Sequence, residues 1–159
     1  MAIANTLKDY LNSRGIAYEV ITHDPTATST QTVRAAHIPA ECLAKSVVLE
    51  DEAGYLMAVV PSNRRVRLGQ LSANLHRQLR LASEHELAGL FRDCALGAVP
   101  PVGRAYGIET ILDDELAHKR DVYFEAGDHE ALIHMSGEQF AGLMSGIPRH
   151  FFARPREAR

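Results

Sequence analysis

The chain has 159 residues, 46% hydrophobic and 23% charged, the usage of an ordinary globular domain and not of a largely disordered chain. Two cysteines, Cys42 and Cys94, exclude a disulfide-dense scaffold, and no apolar run approaches the roughly 18 residues of a membrane helix. A net charge of −3 argues against broad nucleic-acid binding.

The start of the chain has no basic segment followed by a long apolar one, so a cytoplasmic protein is expected, without membrane association. The alternation of elements predicts one mixed α/β domain over residues 1–159. Ile3, Leu7, Tyr10 and Leu11 fall at helical spacing and Gly15 ends that helix. Ala17–Thr22 reads as a strand, Asp24-Pro25 breaks it, and Thr28 or Ser29 caps a short helix through His37. Ala44–Leu49 and Tyr55–Val60 read as a hairpin around Glu50–Gly54. Both runs are nearly continuous in apolar residues, which predicts a sheet covered on both faces. Leu68, Leu71 and Leu75 mark a helix with an exposed arginine side, and Leu79–Ala82 a short strand. Ser83 and Glu86 form a capping box ahead of the stripe Leu87, Leu90 and Phe91. Asp121–Ala126 and Ala131–Met135 form a second hairpin around Gly127–Glu130. Ser136 and Gln139 form another capping box, with Met135 and Phe140 at the staple positions, and Gly146 and Pro148 end the last helix. The pattern predicts an α+β fold: a mixed, mostly antiparallel sheet, partly barrel-like, surrounded by helices.

Three features stand out as candidates for chemistry. Lys45 opens an otherwise apolar strand, on the face of Val47 and Leu49. Such conflicts concentrate at functional sites, although an isolated lysine at a strand end also fits one that snorkels to water. The loop Gly97-Ala98-Val99-Pro100-Pro101-Val102-Gly103 combines glycines, which let a ligand approach the backbone, with prolines that stiffen it. Converging N–H groups there would polarise a carbonyl, but a plain tight connection has the same composition. The hairpin tip Gly127-Asp128-His129-Glu130 places polar groups at a pocket mouth or in a solvated turn.

Basic charge is concentrated in two places. Arg64, Arg65, Arg67, Arg77 and Arg80 crowd residues 62–80 without an acid, and residues 149–159 hold four more arginines with one glutamate. This suits a partner offering a few phosphates, or a solvated helix. Eight histidines are present, but there is no HExxH or Cys-x-x-Cys, so no metal and no cofactor is expected. Gly-x-Ser-x-Gly, the P-loop and GxGxxG with its acid are also missing, which leaves serine catalysis, nucleotide hydrolysis and dinucleotide chemistry without a signature. Cys42 lies near Lys45 but reads as a small core residue rather than a nucleophile.

In order along the chain, Ala44-Lys45-Ser46-Val47-Val48, the Gly97–Gly103 loop, and Val122-Tyr123-Phe124-Glu125-Ala126-Gly127 with Leu132-Ile133-His134-Met135-Ser136 resemble the YbaK/prolyl-tRNA synthetase editing-domain family. The resemblance implies a free-standing or inserted α+β domain that hydrolyses mischarged aminoacyl-tRNA without an enzyme nucleophile. It groups Lys45 with Gly97, Ala98, Val99 and Pro100 in one pocket. Lys45 would hold the phosphate or ribose end, the Gly97 N–H would bind the substrate or the developing oxyanion, and water would attack, helped by the neighbouring ribose hydroxyl. His129 would orient the substrate or select the amino acid, whereas Ser46 points away from Lys45 in an unbulged strand. The implied partners are the acceptor end of aminoacyl-tRNA and an aminoacyl-tRNA synthetase; the five arginines, a feature of this sequence alone, would meet tRNA phosphates. Two other readings use the same residues: a non-catalytic module that binds an aminoacyl-adenosine or tRNA end, and a regulatory domain that kept only the fold.

Overall fold

A computed structural model describes residues 3–155, with side chains through Ala153; Arg156 and Arg159 of the C-terminal basic run lie outside the described residues. In chain order the elements are α1 (Asn5–Ser13), β1 (Glu19–Thr22), α2 (Ser29–Ala36), β2 (Leu43–Asp51), β3 (Gly54–Pro61), β4 (Arg64–Val66), α3 (Leu68–Leu75), β5 (Arg80–Leu81) and α4 (Glu84–Leu90). They continue with β6 (Glu109–Asp113), β7 (Asp121–Glu125), β8 (Ala131–Ser136), α5 (Gly137–Leu143), β9 (Arg149–His150) and β10 (Ala153–Pro155). The main sheet runs β1-β8-β7-β2-β3-β6-β9, with β5 also on β2, while β4 and β10 form a separate ribbon. Antiparallel pairs dominate; β2 with β7, β3 with β6 and β6 with β9 are parallel. The predicted α+β architecture is present: a mixed, mostly antiparallel sheet with helices, not closed, since the end strands β1 and β9 do not pair.

The continuous apolar runs of β2 and β3 have the predicted cause. Ala44, Val48, Met57 and Val59 pack into one buried cluster and Leu49, Leu56, Ala58 and Val60 into another, so successive residues fill opposite faces. A third, smaller cluster joins Leu43, Leu132 and Ile38 to Val33 and Ala36 of α2 and to Tyr123 of β7. This packing lays α2 over the start of β2.

Local signals hold in most places. Thr28 caps α2 by accepting from the Gln31 N–H at 3.2 Å. Ser83 and Glu86 make a complete capping box. The box at Ser136 is only half made: its hydroxyl accepts from the Gln139 N–H, but the Gln139 side chain instead accepts from the Ala17 N–H at 3.1 Å. That bond ties α5 to the entry of β1. Helix α1 has no side-chain cap of its own, and Asp93, 87 residues away, accepts from the Thr6 N–H at 2.9 Å. Two departures concern the middle of the chain. The acid-rich stretch after Ile108 contains β6, whose Asp113 is buried and accepts from the Glu115, Phe152 and Ala153 N–H groups. Helix α3 contains no arginine. Arg64 and Arg65 lie on β4, Arg67 at the helix N-cap, Arg77 just past the left-handed His76 and Arg80 on β5. The expected arginine side of one helix is thus spread over four local structures, because β4 and the turn at His76 interrupt the helical period.

Candidate active site

Strand β2 has β3 along one edge over its whole length, but its other edge is divided. β7 pairs only at Leu43 and Ala44, and β5 only at Leu49 and Glu50. Between these two partners, Lys45, Ser46 and Val47 face a split in the sheet. The loop after α4 reaches this split, and the Ser46 hydroxyl donates to the Val99 carbonyl at 3.0 Å. A small cavity of about 90 Å³ results, lined by Ser29, Leu43, Ala44, Lys45, Ser46, Gly97, Val99 and Glu125. The register of β2 against β3 is unbroken from Ala44 to Asp51, so no bulge turns Ser46 toward Lys45. Both residues line the cavity because it opens on the strand edge, where adjacent side chains of opposite faces come within reach.

The structure therefore brings Lys45, Ser46, Gly97 and Val99 to one cavity. Ala98 and Pro100 are buried behind the loop, and the Ala98 N–H is used within it, donating to the Ala95 carbonyl at 3.1 Å. Among the described residues no hydrogen bond engages the Gly97 N–H. Gly97 has φ +80°, and a Cβ there would lie 3.2 Å from Cε1 of His129. The other loop glycine serves packing: a Cβ on Gly103 would sit 2.1 Å from Oγ1 of Thr110 and 2.8 Å from the Ile108 carbonyl. His129 braces the loop from the hairpin tip. Its backbone is left-handed, Asp128 accepts the Glu130 and Ala131 N–H groups, and the imidazole Nε2–H donates to the Leu96 carbonyl. The carbonyl can only accept, so this bond places a proton on Nε2.

Glu125 is a cavity residue that its sequence context concealed. It ends β7 two residues after Tyr123, as Lys45 follows Leu43 by two on β2, so parallel register puts both on the face covered by α2. The Thr32 hydroxyl of α2 donates to Glu125 Oε1 at 3.0 Å, whereas Oε2 is buried with no hydrogen-bond partner among the described residues. Burial raises the carboxyl above the ordinary glutamate value, against the nearby His129 and His23. The only sequence signal was one acid at the end of an aromatic-rich strand, which looks like a solvated strand end until α2 is laid over it.

The thiols are poorly suited to attack. Burial raises the Cys42 thiol and pushes Cys94 up to about 11, so both are protonated near neutrality. Among the described residues no cluster of His, Cys, Asp and Glu is arranged to hold a metal ion.

The five arginines do not converge on this cavity. Arg77 grips Asp51 through two hydrogen bonds of 2.7 and 2.8 Å and also reaches Glu109, and Arg80 donates to Glu50. Arg65 and Arg67 are exposed. Arg64 donates to Glu115 at 2.9 Å and lines a larger groove of about 450 Å³ with Thr30, Val33, Arg34, Ala40, Ser62 and Asn63. That groove shares α2 with the small cavity: Ser29 lines one and Thr30 the other. No helix among the described residues is long and apolar enough to cross a membrane.

A search of curated proteins gives no match. Solved structures share the architecture. One described as a "putative trans-editing enzyme for prolyl tRNA synthetase" is 25% identical, with a TM-score of 0.82 over 95% of this chain and 96% of its own. The "hypothetical protein APE2540" is 21% identical, with a TM-score of 0.82 over 94% of this chain and 100% of its own. A "putative signal transduction protein" from Marinobacter aquaeolei VT8 is 22% identical, with a TM-score of 0.75 over 93% of this chain but 30% of its own. The sequence profile of the aminoacyl-tRNA editing domain matches residues 23–143, a span that includes Lys45, the Gly97 loop and the Gly127–Glu130 hairpin tip. The chain belongs to the aminoacyl-tRNA editing domain family.

Proposed function

We propose that this protein is a trans-acting deacylase that hydrolyses the ester of mischarged aminoacyl-tRNA, a quality-control step of translation in the cytoplasm. The observation that carries this reading is the cavity at the split edge of β2, where Lys45 and the Gly97 loop line one space. Lys45 supplies a point charge for the terminal phosphate or ribose. The Gly97 N–H supplies a backbone donor for the ester oxygen as it gains negative charge. Ala98 and Pro100 hold that donor in place from behind, and His129 fixes the carbonyl just before it.

Water is the nucleophile in this mechanism. It adds to the ester carbonyl carbon, the bond to the ribose oxygen breaks, and that oxygen takes up a proton as the free amino acid leaves. The neighbouring ribose hydroxyl assists the proton transfer. Ser46 is unsuited to attack because its proton is directed to the Val99 carbonyl, which is no base. The two thiols are held protonated. The acceptor end reaches the cavity along the Arg34 and Arg64 groove across α2, with Arg65, Arg67, Arg77 and Arg80 as further candidates for phosphate contact. An aminoacyl-tRNA synthetase is the natural source of the mischarged substrate.

A panel of differently charged tRNAs tests the reading. The purified protein is expected to release the amino acid from at least one mischarged tRNA, and Lys45→Ala to lose most of that activity with an unchanged unfolding midpoint. A stable, fully active Lys45→Ala variant would remove Lys45 from the site. Binding without hydrolysis across the panel would favour the non-catalytic module.

A further inference from the structure

Two buried polar atoms in or near the cavity wall have no hydrogen-bond partner among the described residues. One is Glu125 Oε2. The other is His23 Nε2. His23 Nδ1–H donates to the Asp24 carbonyl at 2.7 Å, since that oxygen can only accept. His23 is close enough to Glu125 for its charge to bear on the carboxyl. Leaving a buried acceptor unsatisfied is costly, roughly 1–3 kcal/mol and more for a charged group. An unsatisfied carboxylate oxygen in the wall of a cavity asks for a ligand that donates a hydrogen bond and carries positive charge.

The rest of the cavity narrows the choice. Thr32 holds Oε1, which leaves Oε2 as the carboxylate oxygen with spare capacity. Lys45 and the Gly97 loop line the same space, so a group seated on Glu125 sits within one small molecule's width of both. An esterified amino acid carries a primary ammonium one carbon from its ester carbonyl. We propose that Glu125 is the receptor for the α-ammonium of the esterified amino acid, so that the site selects a free, cationic amine. This rests on the deacylase reading for the identity of the ligand. It adds a third anchor to the two already described: the ribose or phosphate end on Lys45, the carbonyl on Gly97 and the ammonium on Glu125. Three non-collinear anchors fix the ester in one orientation. The facing charged and titratable groups are His23 from the loop after β1, Asp128 and His129 from the hairpin tip and Lys45 from β2.

The test uses two non-hydrolysable probes of equal size. Both are amides of 3′-amino-3′-deoxyadenosine, one with alanine and one with lactic acid, which replaces the ammonium by a hydroxyl. Calorimetry on the full-length protein is expected to show the alanyl probe binding about 10- to 100-fold more tightly, the ratio of a charge-assisted bond. Glu125→Gln is expected to bring the two within about threefold, mainly by weakening the alanyl probe. Equal affinity of the parent protein for both probes overturns the proposal without any variant, so a poorly folded Glu125→Gln does not protect it. A Glu125→Gln protein that keeps the parent's ratio also overturns it, as does failure of the parent to bind either probe. Hydrolysis of aminoacyl-tRNA, measured on the same preparation, reports on the deacylase reading separately. An active enzyme with no amine preference refutes only the ammonium receptor, and an amine-selective binder that hydrolyses nothing refutes only the deacylase.

Discussion

Gly97→Ala probes the loop at its most constrained point. At φ +80° the new side chain meets the left-handed backbone penalty, about 1–2 kcal/mol for an L-residue. Its Cβ also arrives 3.2 Å from Cε1 of His129, closer than side chains normally pack. The imidazole cannot retreat freely, because its Nε2–H is bonded to the Leu96 carbonyl. Moving it sacrifices a hydrogen bond with a net worth of about 0.5–1.5 kcal/mol. The two contributions sum to roughly 1.5–3.5 kcal/mol, which for a chain of this size lowers the melting temperature by about 3–14 °C. Urea unfolding and deacylation measured on the same preparation read both consequences, since the substituted loop also shifts the Gly97 N–H and fills the mouth of the cavity. In a His129→Gly background the steric part of the cost should vanish and the backbone part should remain, so the substitution becomes less damaging by about 0.5–1.5 kcal/mol. Parental stability and activity of Gly97→Ala would refute the argument, and a cost unaffected by His129→Gly would remove the imidazole from it.

Cys42→Ala and Cys94→Ala should keep deacylation within a few-fold of the parent, and a chelator should leave it unchanged; a covalent aminoacyl-enzyme trapped on Cys42, or loss of activity with the chelator, would reopen covalent or metal chemistry. Arg77 holds the Asp51 carboxyl down at about 2, from an ordinary 3.8, so the stability it confers is present above 3.8 and disappears as pH falls through about 2. Denaturation of Arg77→Ala and parent should therefore differ near neutrality and converge in acid, and a difference that persists below pH 2 would refute that origin. For tRNA binding, Arg64→Ala should flatten the dependence of log affinity on log salt by roughly 0.7 for each single-strand phosphate that is no longer neutralised. An unchanged slope would leave the Arg64 groove outside the tRNA path.

Much of this protein was legible in its sequence because the signals were local. Capping residues at Thr28 and Ser83, the apolar runs of β2 and β3, and the second hairpin around Gly127 each depend on neighbours a few residues apart, which chain chemistry decides before any tertiary contact forms. The family resemblance likewise lay in short motifs, whereas the meeting of Lys45, Ser46, Gly97 and Val99 at one cavity is a product of the tertiary structure. Other features required chain segments far apart to meet. The shared presence of Lys45 and Ser46 arises from a sheet edge divided between β7 and β5, a pairing that no periodicity encodes. The cap of α1 comes from Asp93, and the Gln139 side chain that seemed destined for its own helix is taken by the Ala17 N–H. Arg77 looked like a surface cation among others until folding placed Asp51 against it, because ion pairing depends on distance in space and not on spacing in the chain. Glu125 was hidden for the same reason. An acid at a strand end is ordinary in sequence, and only the packing of α2 over β7 turns it into a buried carboxylate with one oxygen waiting for a partner.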